Sequence, residues 1–170
     1  MVERDLRARG LRDERVLAAM AEVPRERFVP DHLVDMAHED RALPIGSGQT
    51  ISQPYIVALT AEALALAPTD RVLEIGTGSG YAAAVLSRLA GSVVTVERLP
   101  ELAAAAARRL AALGYDNVEV VCADGTRGWE PGAPYDAVAV AAAGPRVPRA
   151  LLDQLADGGR LVMPLEERFG

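Results

Sequence analysis

The sequence predicts an α/β chain in which a mostly parallel sheet is covered by helices on both faces, and three observations predict it. Short β-branched runs at 72–75, 92–97, 118–122, 135–145 and 160–165 alternate with alanine- and leucine-rich stretches of helical length, the signature of repeated βα units. The first run stops at Gly76-Thr77-Gly78-Ser79-Gly80 and continues into Tyr81-Ala82-Ala83-Ala84-Val85-Leu86, so strand, tight turn and helix start follow without a break. Every gap between runs is long enough for a crossover, which parallel neighbours require; counting the five runs in chain order, the expected arrangement is 3-2-1-4-5.

Length and charge bound the rest. At 170 residues the chain is one domain, read as N-terminal helices and a loop over 1–67 followed by an α/β core over 68–170. A formal net charge of −6 supplies no electrostatic footprint for nucleic acid or an anionic membrane, so neither is expected as a partner. The single cysteine, Cys122, excludes an internal disulfide and reads as a small core residue. No secretory h-region follows Met1 and no apolar run reaches bilayer length, which makes the cytoplasm the expected compartment and a monomer the expected state.

Taken in order, residues 3–22 space Leu11, Val16, Leu17 and Met20 as one amphipathic helix, a candidate lid, ended by Val23-Pro24. Phe28 and Val29 then form an anchoring turn. His32 and His38 lack further ligands at metal spacing, and no metal is expected. Residues 43–55 hold two glycines, two prolines and several hydroxyl and amide side chains, which reads as a loop. Ser52 or Gln53 is placed to cap a helix running from Pro54 to about Ala67. After the glycine turn, the helix from Tyr81 ends near Gly91, 92–97 is the second strand, 101–113 a propensity-driven helix and 118–122 the third strand. Trp129 reads as packing. The fourth strand begins at Tyr135, a helix follows over 146–155, Gly158-Gly159 end it, and 160–165 is the fifth strand.

The glycine turn is built to hold a ligand against bare backbone. Its spacing differs from the dinucleotide fingerprint, because Glu74 stands two residues before the first glycine and would repel a pyrophosphate. The same carboxylate would attract an amine or a sulfonium, and S-adenosylmethionine carries both and no phosphate. Glu74-x-Gly76-x-Gly78-x-Gly80 therefore resembles the first motif of the class I methyltransferases, whose Rossmann-like fold is the α/β architecture already expected. Glu97, about twenty residues on at a strand end, is placed to accept both ribose hydroxyls.

Three segments sharpen the resemblance: 23–30 (Val-Pro-Arg-Glu-Arg-Phe-Val-Pro), 43–54 with Gln49-Thr50-Ile51-Ser52, and Glu74 to Tyr81. In that order and spacing they resemble the protein-L-isoaspartate O-methyltransferases, over roughly residues 11–165. The resemblance implies methyl transfer from S-adenosylmethionine, leaving S-adenosylhomocysteine, to the α-carboxyl of L-isoaspartyl residues in damaged peptides or proteins. It assigns Ser52 the active-site role, orienting carboxylate or cofactor without attacking. It places Gln49, Thr50, Ile51, Ser52, Glu74, Gly76, Thr77, Gly78, Ser79, Gly80, Glu97, Arg98, Asp124 and Gly125 around the cofactor, with Asp124 facing the adenine amino group. The small apolar Ala141-Ala142-Ala143-Gly144-Pro145 lacks the polar residue, prolines and aromatic that grip a flipped base, which removes the main support for base methylation.

The departure from the family lies at the end, where Pro164-Leu165-Glu166 replaces Pro-Val-Gly and the family's further strands do not follow before Gly170. The expectation is a trimmed or reduced chain whose fifth strand is an exposed edge. The alternatives are an aspartyl O-methyltransferase acting on a ribosomally made peptide, a cofactor-binding module without catalysis and, more distantly, a nicotinamide-dependent oxidoreductase.

Overall fold

Gly10 breaks the amphipathic stretch at the N-terminus. In the computed structural model, which describes residues 1–166, single turns at Val2–Leu6 and Arg7–Arg9 end at Gly10 with φ 102°. Helix α1 (Glu14–Glu22) begins only after Asp13, whose side chain accepts from the N–H groups of Arg15 and Val16. It is no lid. Val16, Leu17, Ala19 and Met20 are buried, and the segment belongs to the main core. Val23-Pro24 ends it as expected, and Phe28 and Val29 of the following turn are buried.

The stretch read as a loop is a hairpin. Strand β1 (Leu43–Gly46) pairs antiparallel with β2 (Gln49–Ile51), Leu43 opposite Ile51. Its turn carries three consecutive positive φ values, 95°, 50° and 69° at Gly46, Ser47 and Gly48. Helix α2 (Pro54–Leu64) follows with proline in its first turn, but neither Ser52 nor Gln53 caps it with a side chain; Asp40 Oδ1 accepts from the Tyr55 N–H instead. It stops early because Ala65 turns left-handed, at φ 46°.

The remaining elements are β3 (Arg71–Ile75), α3 (Tyr81–Ser87), β4 (Ser92–Glu97), α4 (Pro100–Ala112), β5 (Val118–Cys122), β6 (Tyr135–Val140), α5 (Arg149–Asp153) and β7 (Leu155–Val162). The sheet runs β5-β4-β3-β6-β7 and every pair is parallel, which is the expected 3-2-1-4-5. Near Gly158-Gly159 the reading fails: the helix before them is short and both glycines lie inside β7. The register shifts there, Tyr135 facing Leu155 but Ala137 facing Arg160, so the extra residues bulge. A Cβ on Gly159 would sit 2.9 Å from the Ala156 carbonyl oxygen.

One hydrophobic cluster joins α1, α2 and α3 to the sheet through Leu17, Met20, Leu64, Tyr81 and Val85. A second gathers Leu73, Val96, Tyr135, Val138 and Leu151, with Trp129 packed on it as read from the sequence. Cys122 is exposed, contrary to expectation, because β5 is an edge strand. Among the described residues no helix is long and apolar enough to cross a membrane. The architecture brings the carboxyl ends of β3, β4 and β6 together, and the hairpin packs across them: Ile45 lies against Gly78, and Ser47 Oγ donates to Glu101 of α4 at 3.1 Å.

Candidate active site

A cavity of about 170 Å³ opens where the hairpin meets the sheet. Gln49, Thr50, Ile51 and Ser52 form one wall, Gly76 to Ser79 with Tyr81 and Ala82 the other, Glu97 stands among them, and Val57, Ala141 and Ala142 complete the lining. The glycines divide the work. Gly76, with φ 98°, keeps the turn clear of Ala141, whose Cβ would lie 3.3 Å from a side chain there. Gly80 faces the protein: a Cβ would lie 3.2 Å from Leu110 of α4, so it serves helix packing and is outside the cavity wall.

Glu97 holds the turn in place. Its Oε2 accepts from the Gly78 N–H at 2.9 Å and its Oε1 from the Leu99 N–H at 3.0 Å, and both oxygens keep lone pairs for a ligand. Thr77 turns its hydroxyl inward, 2.7 Å from that of Thr95, and Ser79 Oγ accepts from the Tyr81 N–H at 3.3 Å at the start of α3.

Glu74, read from the sequence as the attraction for an amine or a sulfonium, lies outside the small cavity's lining. Its register position between Thr95 of β4 and Ala139 of β6 sends the carboxyl into the wall of an adjoining cavity of about 450 Å³, lined also by Ile56, Leu59, Thr60, Val162 and Met163. It is 1% exposed and accepts from Thr95 Oγ1 at 2.5 Å. Burial pushes its pKa up to about 8, so near neutral pH it is largely a neutral acid. The two cavities share Ser52, Val57, Ala82 and Ala141.

Three further residues stand outside the cavity wall. Asp124 is exposed, and Oδ1 accepts from the Thr126 N–H at 3.0 Å and hydroxyl at 2.8 Å, bonds that hold its pKa below the usual carboxylate range. Arg98, also exposed, adds a smaller attraction to Asp124. Gly125 is a packing residue, since a Cβ would sit 2.5 Å from Ile75 Cγ2. The structure thus brings residues 49–52, 76–79 and Glu97 together and leaves Glu74, Gly80, Arg98, Asp124 and Gly125 beyond the cavity's lining. Sequence reasoning missed Val57, Tyr81, Ala82, Ala141 and Ala142 of the lining, and Arg25 behind it. Arg25 is completely buried, and its charged run Arg25-Glu26-Arg27 looks solvated from pattern alone.

The donor set fits S-adenosylmethionine. Among the described residues no lysine or arginine lines the small cavity, so a pyrophosphate would find no counter-charge there, whereas Glu97 suits vicinal hydroxyls and the bare glycine backbone suits a close-lying adenosine. Among the described residues no group of three or more histidine, cysteine, aspartate or glutamate side chains could hold a metal.

Comparison with known proteins agrees with this geometry. The family model described as protein-L-isoaspartate(D-aspartate) O-methyltransferase matches residues 1–169. The protein-L-isoaspartate O-methyltransferase 1 of Rhodopseudomonas palustris strain HaA2 is 62% identical over 165 residues, covering 97% of this chain and 67% of its own. The enzyme of that name in Methanoculleus marisnigri is 60% identical over 168 residues, 99% of this chain and 76% of its own. A solved protein-L-isoaspartate O-methyltransferase superimposes with a TM-score of 0.88 at 36% identity; this chain covers 55% of its length, and the match takes in 97% of this chain. A Plasmodium falciparum structure described as such a methyltransferase, in complex with S-adenosyl-L-homocysteine, gives a TM-score of 0.85 at 26% identity, with 99% of this chain and 84% of that one covered. The chain belongs to the protein-L-isoaspartate(D-aspartate) O-methyltransferase family.

Proposed function

We propose that this chain methylates the α-carboxyl of L-isoaspartyl residues in peptides and proteins, with Ser52 at the point of transfer. One observation carries the placement: Ser52 lines both cavities, so it stands at the junction of the cleft that suits the cofactor and the larger cavity beside it. S-adenosylmethionine, when bound, supplies a methyl group on a sulfonium. The chain's own residues bind, orient and exclude water. Gln49 to Ser52 and the glycine turn embrace the cofactor, and Glu97 takes its ribose hydroxyls. The Ser52 hydroxyl, with no side-chain partner among the described residues, donates to the incoming carboxylate.

The chemistry needs no general base, because the substrate carboxylate is already ionised at neutral pH. Its weak nucleophilicity is raised by alignment and by loss of water in a cavity walled by Ile56, Leu59, Ala139 and Met163. A neutral Glu74 in that wall does not repel the approaching anion. The methyl ester then invites attack by the following backbone nitrogen, which expels methanol and closes a succinimide. Hydrolysis reopens part of it as normal aspartate.

The test offers the chain a radiolabelled methyl donor with matched isoaspartyl and aspartyl peptides. Label on the isoaspartyl peptide alone is expected, and label chiefly on the aspartyl peptide would reassign the substrate. Ser52→Ala is expected to keep cofactor affinity and to lower turnover about tenfold or more, the order expected for loss of a hydrogen bond to a charged group. Equal turnover in variant and parent removes Ser52 from the mechanism.

A further inference from the structure

We propose that Arg25 is a positioning residue for this reaction, one that fixes the main chain of Ser52 from inside the protein. The proposal rests on the reading of Ser52 given above. The Arg25 side chain is entirely buried and its guanidinium is shared among carbonyls. Nη1 donates to the Ala37 carbonyl, and Nη2 donates to those of Arg41 at 3.0 Å and Ser52 at 3.1 Å. Those bonds gather a short helical turn, the approach to the hairpin and its exit onto one cation. Nε, also buried, has no hydrogen-bond partner among the described residues.

Asp40, whose charge favours the Arg25 cation, is committed elsewhere. It accepts from Arg9 Nη1 at 2.7 Å, Gln53 Nε2 at 2.9 Å and the Tyr55 N–H at 2.9 Å. Ser52 is therefore gripped on both sides, through its own carbonyl by Arg25 and through Gln53 and Tyr55 by Asp40. The guanidinium also lies over the Tyr81 ring, 5.7 Å from its centre, and Tyr81 begins the helix that follows the glycine turn. One side chain thus touches elements of both walls of the cofactor cleft.

Stability alone is a weak account of such a residue. A buried cation carries a large desolvation penalty, and well-packed apolar replacements for buried ionic groups are often neutral or stabilising. A planar fork that reaches several acceptors in fixed directions imposes geometry, which an ammonium on a flexible stem does not. The gain lies in holding the Ser52 hydroxyl within the narrow tolerance that transfer demands.

The experiment compares parent, Arg25→Lys, Ser52→Ala and the double variant. Steady-state turnover on the isoaspartyl peptide, calorimetric affinity for S-adenosylhomocysteine and amide hydrogen exchange are measured for each. Arg25→Lys is expected to lower kcat about tenfold or more while changing cofactor affinity by less than about threefold, and to quicken exchange across residues 51–55 but not in β3. The double variant is expected to turn over no more slowly than the slower single variant, because both changes remove one function.

Turnover of Arg25→Lys within about twofold of the parent overturns the proposal. So does a multiplicative double variant, or a loss of cofactor affinity that matches the loss of kcat. If Ser52→Ala turns over like the parent, the reading of Ser52 falls by itself, and the exchange data still decide whether Arg25 holds the segment. Arg25→Met, neutral, unbranched and shorter than the guanidinium's reach, repeats the exchange test should the lysine variant fail to fold.

Discussion

Glu74→Gln is expected to reverse its effect on stability between acid and alkaline solution. In the unfolded chain a glutamate titrates near 4.5, and in the folded chain burial, opposed by the Thr95 hydrogen bond and assisted by the charge on Glu97, pushes Glu74 up to about 8. Below about pH 4.5 both states hold the proton and Glu74 contributes nothing to the pH dependence. Through the window from there to about 8 the unfolded state binds fewer protons than the folded one, so stability falls as pH rises. Above it the penalty is complete.

At 1.36 kcal/mol for each unit, the full penalty is on the order of 5 kcal/mol. Glutamine has no proton to lose, keeps an acceptor for Thr95 and leaves an extra donor unpaired, at a penalty of about 1 kcal/mol. The variant is therefore expected to be slightly less stable than the parent at pH 5 and more stable by several kcal/mol at pH 9. Urea unfolding of both proteins across that range is the assay, and the difference between them cancels every other titrating group. Parallel curves would mean that Glu74 titrates alike in both states, and the neutral acid in the wall of the larger cavity would have to be abandoned.

Other perturbations separate ligand binding from packing. Glu97→Ala removes the carboxylate that holds Gly78 and faces the cofactor cleft, and is expected to weaken S-adenosylhomocysteine by about 2–3 kcal/mol in a calorimetric titration; an unchanged Kd takes Glu97 out of the site. Gly80→Ala meets both a φ of 89° and Leu110, so unfolding should become easier by about 1–3 kcal/mol with cofactor affinity retained. A large loss of affinity at constant stability would return Gly80 to the ligand. Gly125→Ala is expected to destabilise by a similar amount through Ile75, read by thermal melting, and a neutral result would show that β3 and the β5 loop yield freely.

What the sequence disclosed follows physical range. The β3, β4, β5 and β6 runs are β-branched, bounded by turn residues and spaced for crossovers, so their strands and the parallel order could be read directly. The hairpin could not: Pro44 and three positive φ angles disguise strands of only three and four residues. Gly10 gave a visible warning, since glycine just past a helical turn is a common terminator, yet the apolar spacing continued through it. In the site, residues 49–52, 76–79 and Glu97 come from contiguous motifs and are found around one cavity. The orientation of Glu74 depends on its neighbours across the sheet, Thr95 and Ala139, which no local pattern contains. Arg25 was hidden for the same reason, its acceptors lying 12 to 27 residues away.

The hairpin bridging Gly78 and Glu101 makes the first third of the chain structurally inseparable from the remainder. A ligand seated there is held by segments that the ribosome releases far apart, and so acts as a non-covalent staple between early and late parts of the polypeptide. Amino-terminal shortening would leave a half-walled sheet with exposed Tyr81 and Val85, unable to serve as a minimal nucleoside binder.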